Sequence, residues 1–143
     1  MKEKLTETPV LAYPDQNKPY VVYTDASNIE LSGILGQLDD DGYSRVIAYS
    51  GRALRDHEMN YTITEKECLA VIWALKYWRQ YLFGSEFKIV TDHSAITWLK
   101  NKPDLPERIL PRWILTFQEF EPFTIEHRKG TEHSNVDALT RIY

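Results

Sequence analysis

The chain has one cysteine among its 143 residues and no long hydrophobic run. A lone Cys68 excludes an internal disulfide bond and any zinc site built from several cysteines. The longest apolar run, residues 68–75, is far too short to span a membrane, and the polar N-terminus lacks the apolar core of a signal peptide. These absences predict a protein of a reducing intracellular compartment, the cytoplasm, with no membrane partner.

Positive charge is also scarce, because 17 Lys and Arg stand against 21 Asp and Glu, for a formal net charge of −4. This balance argues against nucleic-acid binding through an overall basic surface, but it leaves room for a local basic groove. Hydrophobic residues at 43% and charged residues at 27% are typical of a folded globular protein. The length suits one domain, which we place at residues 19–143, after a polar, proline-containing lead-in arm at residues 1–18.

Sequence patterns along the chain predict five strands and four helices. The predicted strands are residues 20–24, 31–38, 45–50, 87–91 and 123–127, with a hairpin turn at 39–42. The predicted helices are residues 62–83, ended by Gly84, and residues 94–100, 107–120 and 135–141. Pro111 either kinks the third of these helices or marks its true start. Three hairpin-linked strands followed by alternating helices and strands predict an α/β fold with a mixed sheet.

Two aspartates follow apolar strands in the same local context, as TDAS at 24–27 and TDHS at 91–94. An aspartate in this position often only begins a turn. The repeated context favours a functional role as well, because ligand crevices of open α/β sheets form at the carboxyl ends of strands. If the two strands are neighbours, Asp25 and Asp92 point into one cleft. The adjacent His93 is either a supporting group of that cleft or a loop residue.

A third carboxylate comes from the long predicted helix. The helical wheel places Glu67 inside the apolar arc that packs on the sheet, and Glu65 on the solvent face. A glutamate on a buried face is costly unless it is paired or binds metal. Both Thr64-x-x-Glu67 and Thr62-x-x-Glu65 also match a capping box, so capping and function both stay open for Glu67.

Asp137 lies in the first turn of the last predicted helix, where an aspartate by itself is most simply a cap. Four carboxylates at two strand ends and two helix starts are harder to explain as four separate caps. Clustered oxygen donors without a cysteine or histidine set suit Mg²⁺ or Mn²⁺. Two such ions about 4 Å apart can activate a water and stabilise a leaving oxygen. The constellation therefore predicts phosphodiester hydrolysis.

The residues that carry this chemistry resemble a known family. TDAS (24–27), NYTITEKECLAVIWALKYWRQYLFG (60–84), FKIVTDH (87–93) and NVDALTR (135–141) follow the order and spacing of the ribonuclease H domain of Ty3/Gypsy-type LTR-retrotransposon reverse transcriptases. The resemblance implies a ribonuclease H-like fold, a five-stranded mixed sheet with three antiparallel strands and then parallel strands, flanked by helices. It also implies an endonuclease that cuts the RNA strand of RNA/DNA hybrids during reverse transcription and leaves 3′-hydroxyl and 5′-phosphate ends.

Matched residue by residue, the resemblance implies that Asp25, Glu67, Asp92 and Asp137 are the catalytic ligands of two Mg²⁺ ions, with Mn²⁺ as a substitute. Ser27, just after the first acid, is a candidate substrate contact. The implied partners are an RNA/DNA hybrid and an upstream polymerase region of the same polyprotein. The implied location is the cytoplasm, or a virus-like particle if the element is active.

One feature departs from the family pattern. Many ribonucleases H carry a mobile histidine on a loop about ten residues before the last aspartate. His127 has this spacing but lies in a predicted strand, whereas His133 lies in the loop, so the role is assigned to neither. A locally positive stretch could face nucleic acid or simply solvent; it comprises Lys100, Lys102, Arg108 and Arg112.

Two other functions remain compatible with the same fold. A catalytically retired ribonuclease H-like domain could bind nucleic acid or a protein partner, although the intact set of acids argues against this. An integrase-like DNA strand transferase could use the same carboxylates. The absence of a zinc-binding module and the match through NYTITEKE argue against that reading.

Overall fold

The computed structural model describes residues 13–15, 17–38, 44–93 and 111–128. Five strands form one sheet in the order β3-β2-β1-β4-β5. The strands are β1 (Tyr20–Ala26), β2 (Glu30–Leu38), β3 (Ser44–Ala53), β4 (Phe87–Thr91) and β5 (Thr124–His127). The helices are α1 (Ile63–Tyr77), α2 (Arg79–Leu82) and α3 (Pro111–Phe120), with a 3₁₀ turn at Glu58–Asn60.

The sheet is mixed, as predicted. β1, β2 and β3 pair antiparallel, whereas β1 pairs with β4 and β4 with β5 in parallel. The register of the β1–β4 pair sets Tyr23 opposite Val90. Asp25 and Asp92 each stand two positions further along, so the predicted acids reach the same edge of the sheet side by side.

The described helices cover one face of the sheet. Buried side chains from that face and from α1 and α3 form the main core, among them Val22, Leu35, Ile89, Leu75 and Phe117. The alternation of side chains along the strands sends Val21, Tyr23 and Val90 to the other face, where they form a smaller buried cluster. Within the described ranges, no helix is both long and apolar enough to cross a bilayer.

The prediction of one continuous helix over residues 62–83 is wrong in one respect. The helix is interrupted at Trp78, whose backbone angles of φ −105° and ψ 29° are not helical, and it resumes as α2. The Trp78 side chain is buried, so the break seats a large ring in the core. Gly84 then ends the segment with a φ of 80°, a conformation that glycine adopts without strain.

The remaining elements agree in type and order where the structure describes them. However, β1 and β3 run to Ala26 and Ala53, two and three residues beyond their predicted ends, so Asp25 lies inside β1 and does not follow it. β5 begins at Thr124, one residue later than predicted, and α3 is seen from Pro111 onward. Several predictions lie outside the described residues: the turn at 39–42, the helices at 94–100 and 135–141, the first residues of the third helix at 107–110, and most of the arm.

Gly33, which has no side chain, lets the end of α1 lie close to the sheet. A Cβ atom added at Gly33 in β2 would lie 3.0 Å from Trp78 Cζ3 and 3.2 Å from Trp73 Cζ3. The two indole rings also contact each other, with centroids 6.0 Å apart. Because Trp78 is buried as well, neither ring can move aside easily. Gly33 therefore sets the spacing between the sheet and the helix that carries Glu67.

We expect Gly33→Ala to lower the free energy of unfolding by about 1–3 kcal/mol, because the added methyl group overpacks this contact. Urea denaturation measures the change. Ser32→Ala, at the partly exposed neighbouring position, is the matched control and should change stability by less than about 0.5 kcal/mol. Equal losses in both variants would contradict a specific contact between Gly33 and the indoles.

Candidate metal centre

Three of the four predicted acids come together at one edge of the sheet. Asp25 is near the end of β1, Asp92 directly follows β4, and Glu67 lies in the second turn of α1. Each offers a carboxylate oxygen, and these oxygens lie within 4.8 Å of one another. Asp25 and Asp92 are exposed, whereas Glu67 is only 5% exposed. The fourth acid, Asp137, lies outside the described residues, as does His133.

The start of α1 decides which glutamate caps the helix and which faces the aspartates. Thr62 Oγ1 accepts a hydrogen bond from Glu65 N–H at 3.1 Å, and Glu65 Oε1 accepts one from Thr62 N–H at 2.7 Å. This reciprocal pair is the capping box. Glu67 takes no part in it, so its carboxylate lies with Asp25 and Asp92.

The prediction that Glu65 lies on the solvent face is wrong, because Glu65 is only 5% exposed. The helical wheel gives the direction in which a side chain leaves the helix axis, and it does not show that a side chain folds back. Glu65 folds back along the first turn to reach the backbone of Thr62, and this contact buries it.

Glu67 carries the most perturbed carboxyl group of the cluster. Burial, followed by the charges of Asp25 and Asp92, raises its pKa from an ordinary value of 4.5 to about 8, although the backbone amide of Ala26 opposes the shift. In the part of the chain that the structure describes, Glu67 Oε1 is buried and has no hydrogen-bond partner. Such an oxygen is costly unless a proton or a cation satisfies it.

The residues at this edge fit a hard divalent cation. The donors are all carboxylate oxygens, which Mg²⁺ and Mn²⁺ prefer, and a cation would offset the repulsion among them. The unsatisfied Oε1 of Glu67 is the atom that most needs such a partner. Cys68, the next residue along α1, packs in the main core, where burial raises the pKa of its thiol to about 12. A softer, thiolate-bound metal therefore does not suit the site.

A hydrogen bond ties together the two elements that carry Glu67 and Asp92. Thr64 Oγ1, in the first turn of α1, lies 3.2 Å from Nε2 of His93. The backbone N–H of His93 donates to Thr91 Oγ1, also at 3.2 Å. The sequence allowed two interpretations of His93, a supporting group of the cleft or a loop residue, and its contact with Thr64 favours the first. The sequence did not indicate that Thr64 would contact His93, because the only pattern around Thr64 was an apparent capping box.

Two other candidates lie nearby. Ser27 Oγ accepts hydrogen bonds from the N–H groups of Ile29 and Glu30, at 3.2 and 3.0 Å, and so shapes the turn after Asp25. A contact between Ser27 and substrate stays a prediction. His127 ends β5 and is exposed, in agreement with its predicted place in a strand.

A cavity of about 780 Å³ lies at the opposite end of the sheet. Its walls include Pro19, Tyr20, Phe87 and Phe123, which stand at or beside the N-terminal ends of β1, β4 and β5. The length of the strands separates this largely apolar cavity from the carboxylates. The carboxylate edge, and not this cavity, is therefore the candidate for chemistry.

Comparison with known proteins identifies similar sequences over almost the whole chain. Residues 15–120 match the family model described as the RNase H-like domain found in reverse transcriptase. The chain is 42% identical over 142 residues to the retrovirus-related Pol polyprotein from transposon 297 of Drosophila melanogaster, covering 99% of this chain and 13% of that protein. It is 36% identical over 145 residues to the transposon Tf2-3 polyprotein of Schizosaccharomyces pombe, covering 99% and 11%. The chain thus spans a small part of these relatives.

Solved structures share the fold. The foamy viral protease-reverse transcriptase in complex with RNA/DNA hybrid has a TM-score of 0.63 and 22% identity, over 84% of this chain and 16% of that chain. RNase H1 from the archaeon Halobacterium salinarum NRC-1 has a TM-score of 0.59 and 20% identity, over 85% of this chain and 93% of that chain. The five-stranded mixed sheet with helices is common to them.

Without divalent cations, the free energy of unfolding should fall as the pH rises from about 4.5 to 8. Glu67 has an ordinary pKa of 4.5 in the unfolded chain and about 8 in the fold, so the folded state binds more protons over this interval. We expect Glu67→Gln to reduce this decline by about 2–4 kcal/mol. Urea denaturation in EDTA at pH 5 and pH 8.5 tests this, and an equal decline in both proteins would refute it.

We expect Thr64→Val to weaken divalent-cation binding by about 10-fold, because it removes the hydroxyl that holds His93 and the strand end against α1. The dependence of the unfolding temperature on cation concentration reports the affinity. Thr116→Val makes the same chemical change in α3, where Thr116 Oγ1 donates to the carbonyl of Arg112, and should leave the affinity unchanged. Equal affinities in the two variants would mean that the Thr64–His93 contact does not support the site.

Proposed function

The chain belongs to the family of RNase H-like domains found in reverse transcriptases, and from this premise we propose that it hydrolyses the RNA strand of RNA/DNA hybrids during reverse transcription. The products would carry 3′-hydroxyl and 5′-phosphate ends. The observation that carries the proposal is the cluster of Asp25, Glu67 and Asp92, in which a buried oxygen of Glu67 lacks a partner among the described residues. The foamy viral relative solved with an RNA/DNA hybrid supports this choice of substrate.

The proposed mechanism assigns each acid a task. Asp25, Glu67 and Asp92, with Asp137 as the proposed fourth ligand, would hold two Mg²⁺ ions, or Mn²⁺ in their place. When bound, such ions neutralise the scissile phosphodiester and lower the pKa of a water molecule. Asp25 and Asp92 are exposed and so can meet substrate at the surface. With a pKa of about 8, Glu67 would hold a proton near neutral pH in the free protein and would lose it on holding a cation.

The surrounding chain completes the proposal. Residues 19–143 would form the nuclease domain, and residues 1–18 would lead from an upstream polymerase region, as expected for a chain that covers 13% of a Pol polyprotein relative. Ser27 would contact substrate beside Asp25. The protein would act in the cytoplasm, within a virus-like particle where the element is active.

We expect metal-dependent cleavage of a labelled RNA/DNA hybrid in Mg²⁺ or Mn²⁺, and none in EDTA. Asp92→Asn and Glu67→Gln should each reduce the rate by about 100-fold or more, since each removes a ligand charge while it keeps the shape. Glu86→Gln, an exposed position before β4, makes the same kind of change away from the site and should cleave normally.

Cleavage by Asp92→Asn at the parental rate would contradict the proposed mechanism. Hybrid binding without cleavage by the parent in either metal would instead favour a retired domain that only binds nucleic acid. A nicking assay on duplex DNA separates the proposed activity from that of an integrase-like strand transferase.

A further inference from the structure

A groove of about 380 Å³ runs along α1, between the turn that follows β3 and the start of α3. Most of the charge in its lining is positive. Among the described residues, the charged lining residues are Arg52, Arg55, Lys76 and Arg112, with one acid, Glu58. This concentration of cations is notable in a chain whose formal net charge is −4. Aromatic rings form other parts of its walls, namely Trp73, Tyr77 and Trp113.

The one acid in the groove is already neutralised within the fold. Arg52 Nη1 and Nη2 donate to the two oxygens of Glu58, at 2.8 and 3.0 Å, and the Arg55 N–H donates to Glu58 Oε1 at 2.7 Å. These contacts hold the pKa of the Glu58 carboxyl below its usual range, although burial opposes the shift. The Arg52–Glu58 pair is thus a structural element that shapes the turn carrying Arg55.

Of the other cations, Arg55 also acts on Glu58, because its charge helps to lower the pKa of that carboxyl. In the portion of the chain that is described, no ion pair joins Arg55, Lys76 or Arg112 to an acid. Arg55, Lys76 and Arg112 are also exposed. Lys76 follows Glu67 by nine positions on α1, which is about 13 Å of helix length. The lysine end of the groove therefore lies well away from the carboxylate of Glu67.

The arginine end of the groove opens at the same edge of the sheet as the carboxylates. Arg52 pairs with Leu31 across β3 and β2, and Leu31 pairs with Ala26 across β2 and β1. With neighbouring strands about 4.8 Å apart, the backbone of Arg52 lies about 10 Å from the residue that follows Asp25. Arg55 follows Arg52 by three residues along the chain.

We propose that this groove binds the phosphodiester backbone of the RNA/DNA hybrid away from the bond that is cut. The proposal rests on the proposed function. A polyanion that approaches the edge carrying Asp25 and Asp92 is repelled, so it needs compensating cations, and the exposed cations of the groove that opens at this edge supply them. Arg55 and Arg112 contact phosphates, which position the duplex without reading its sequence. An acidic peptide would meet the same cations but has no reason to extend towards the carboxylate edge.

The salt dependence of hybrid binding tests the proposal. All proteins carry Asp92→Asn so that the hybrid stays intact, and fluorescence anisotropy of a labelled RNA/DNA hybrid is followed over a series of NaCl concentrations in Mg²⁺. Arg55→Gln and Arg112→Gln should each reduce the slope of log K against log salt by about 0.9, since each removes one phosphate contact. Arg45→Gln, an exposed arginine at the opposite end of β3, is the matched control and should keep the parental slope.

Cleavage measured with Asp92 intact separates this inference from the proposed function. Arg55→Gln and Arg112→Gln should raise KM about 10-fold and keep kcat, because they weaken substrate binding without touching the carboxylates. Parental salt slopes in both variants would overturn the groove proposal while normal cleavage upheld the proposed function, and the groove would then suit an acidic protein partner. Absence of cleavage by the parent would overturn the proposed function, whereas reduced slopes in the Asp92→Asn proteins would still support the groove.

Discussion

The mutual repulsion of Asp25, Glu67 and Asp92 is the constraint on which the rest of this structure depends. Two of these acids are fixed by the parallel pairing of β1 with β4, and the third is fixed by the first turns of α1. Their backbones belong to elements packed into the core, so the three carboxyl groups stay near one another although Asp25 and Asp92 are exposed. The site is therefore held in a state that a proton on Glu67 or a bound cation relieves.

The architecture supports this arrangement at some distance from the acids. Gly33 sets how closely α1 lies on the sheet, the capping box of Thr62 sets where the helix begins, and the Thr64–His93 contact joins the helix to the strand end. Each contact is weak by itself. Together they keep three carboxyl groups close at the edge of the sheet where the strands end.

Much of this could be predicted from local patterns. The repeated Thr-Asp context after two apolar strands favoured one edge for Asp25 and Asp92 on the condition that the strands are neighbours, and the parallel pairing of β1 with β4 meets that condition. The apolar arc of the helix was enough to bring Glu67 to the sheet. The same wheel failed for Glu65, because periodicity reports a direction and not a side-chain conformation. The break at Trp78 has no glycine or proline to signal it.

The basic groove could not be predicted from sequence patterns, for a different reason. Its cations come from separate segments, after β3, late in α1 and at the start of α3, and only the tertiary fold brings them together. The locally positive stretch that the sequence displays contributes one member, Arg112. A polyanion responds to the charges that lie close together in the folded protein. A stretch of sequence shows only which charges are neighbours along the chain.

The crossover from β1 to β4 has a consequence for the stability of the fold. The antiparallel β1–β2–β3 unit is built from consecutive segments, whereas the β1–β4 pair closes a long loop. Asp25 and Asp92 meet only when that loop closes, so their repulsion adds to the entropic cost of closing it. A cation that binds the assembled site and not the unfolded chain offsets this cost, and so raises the free energy of unfolding.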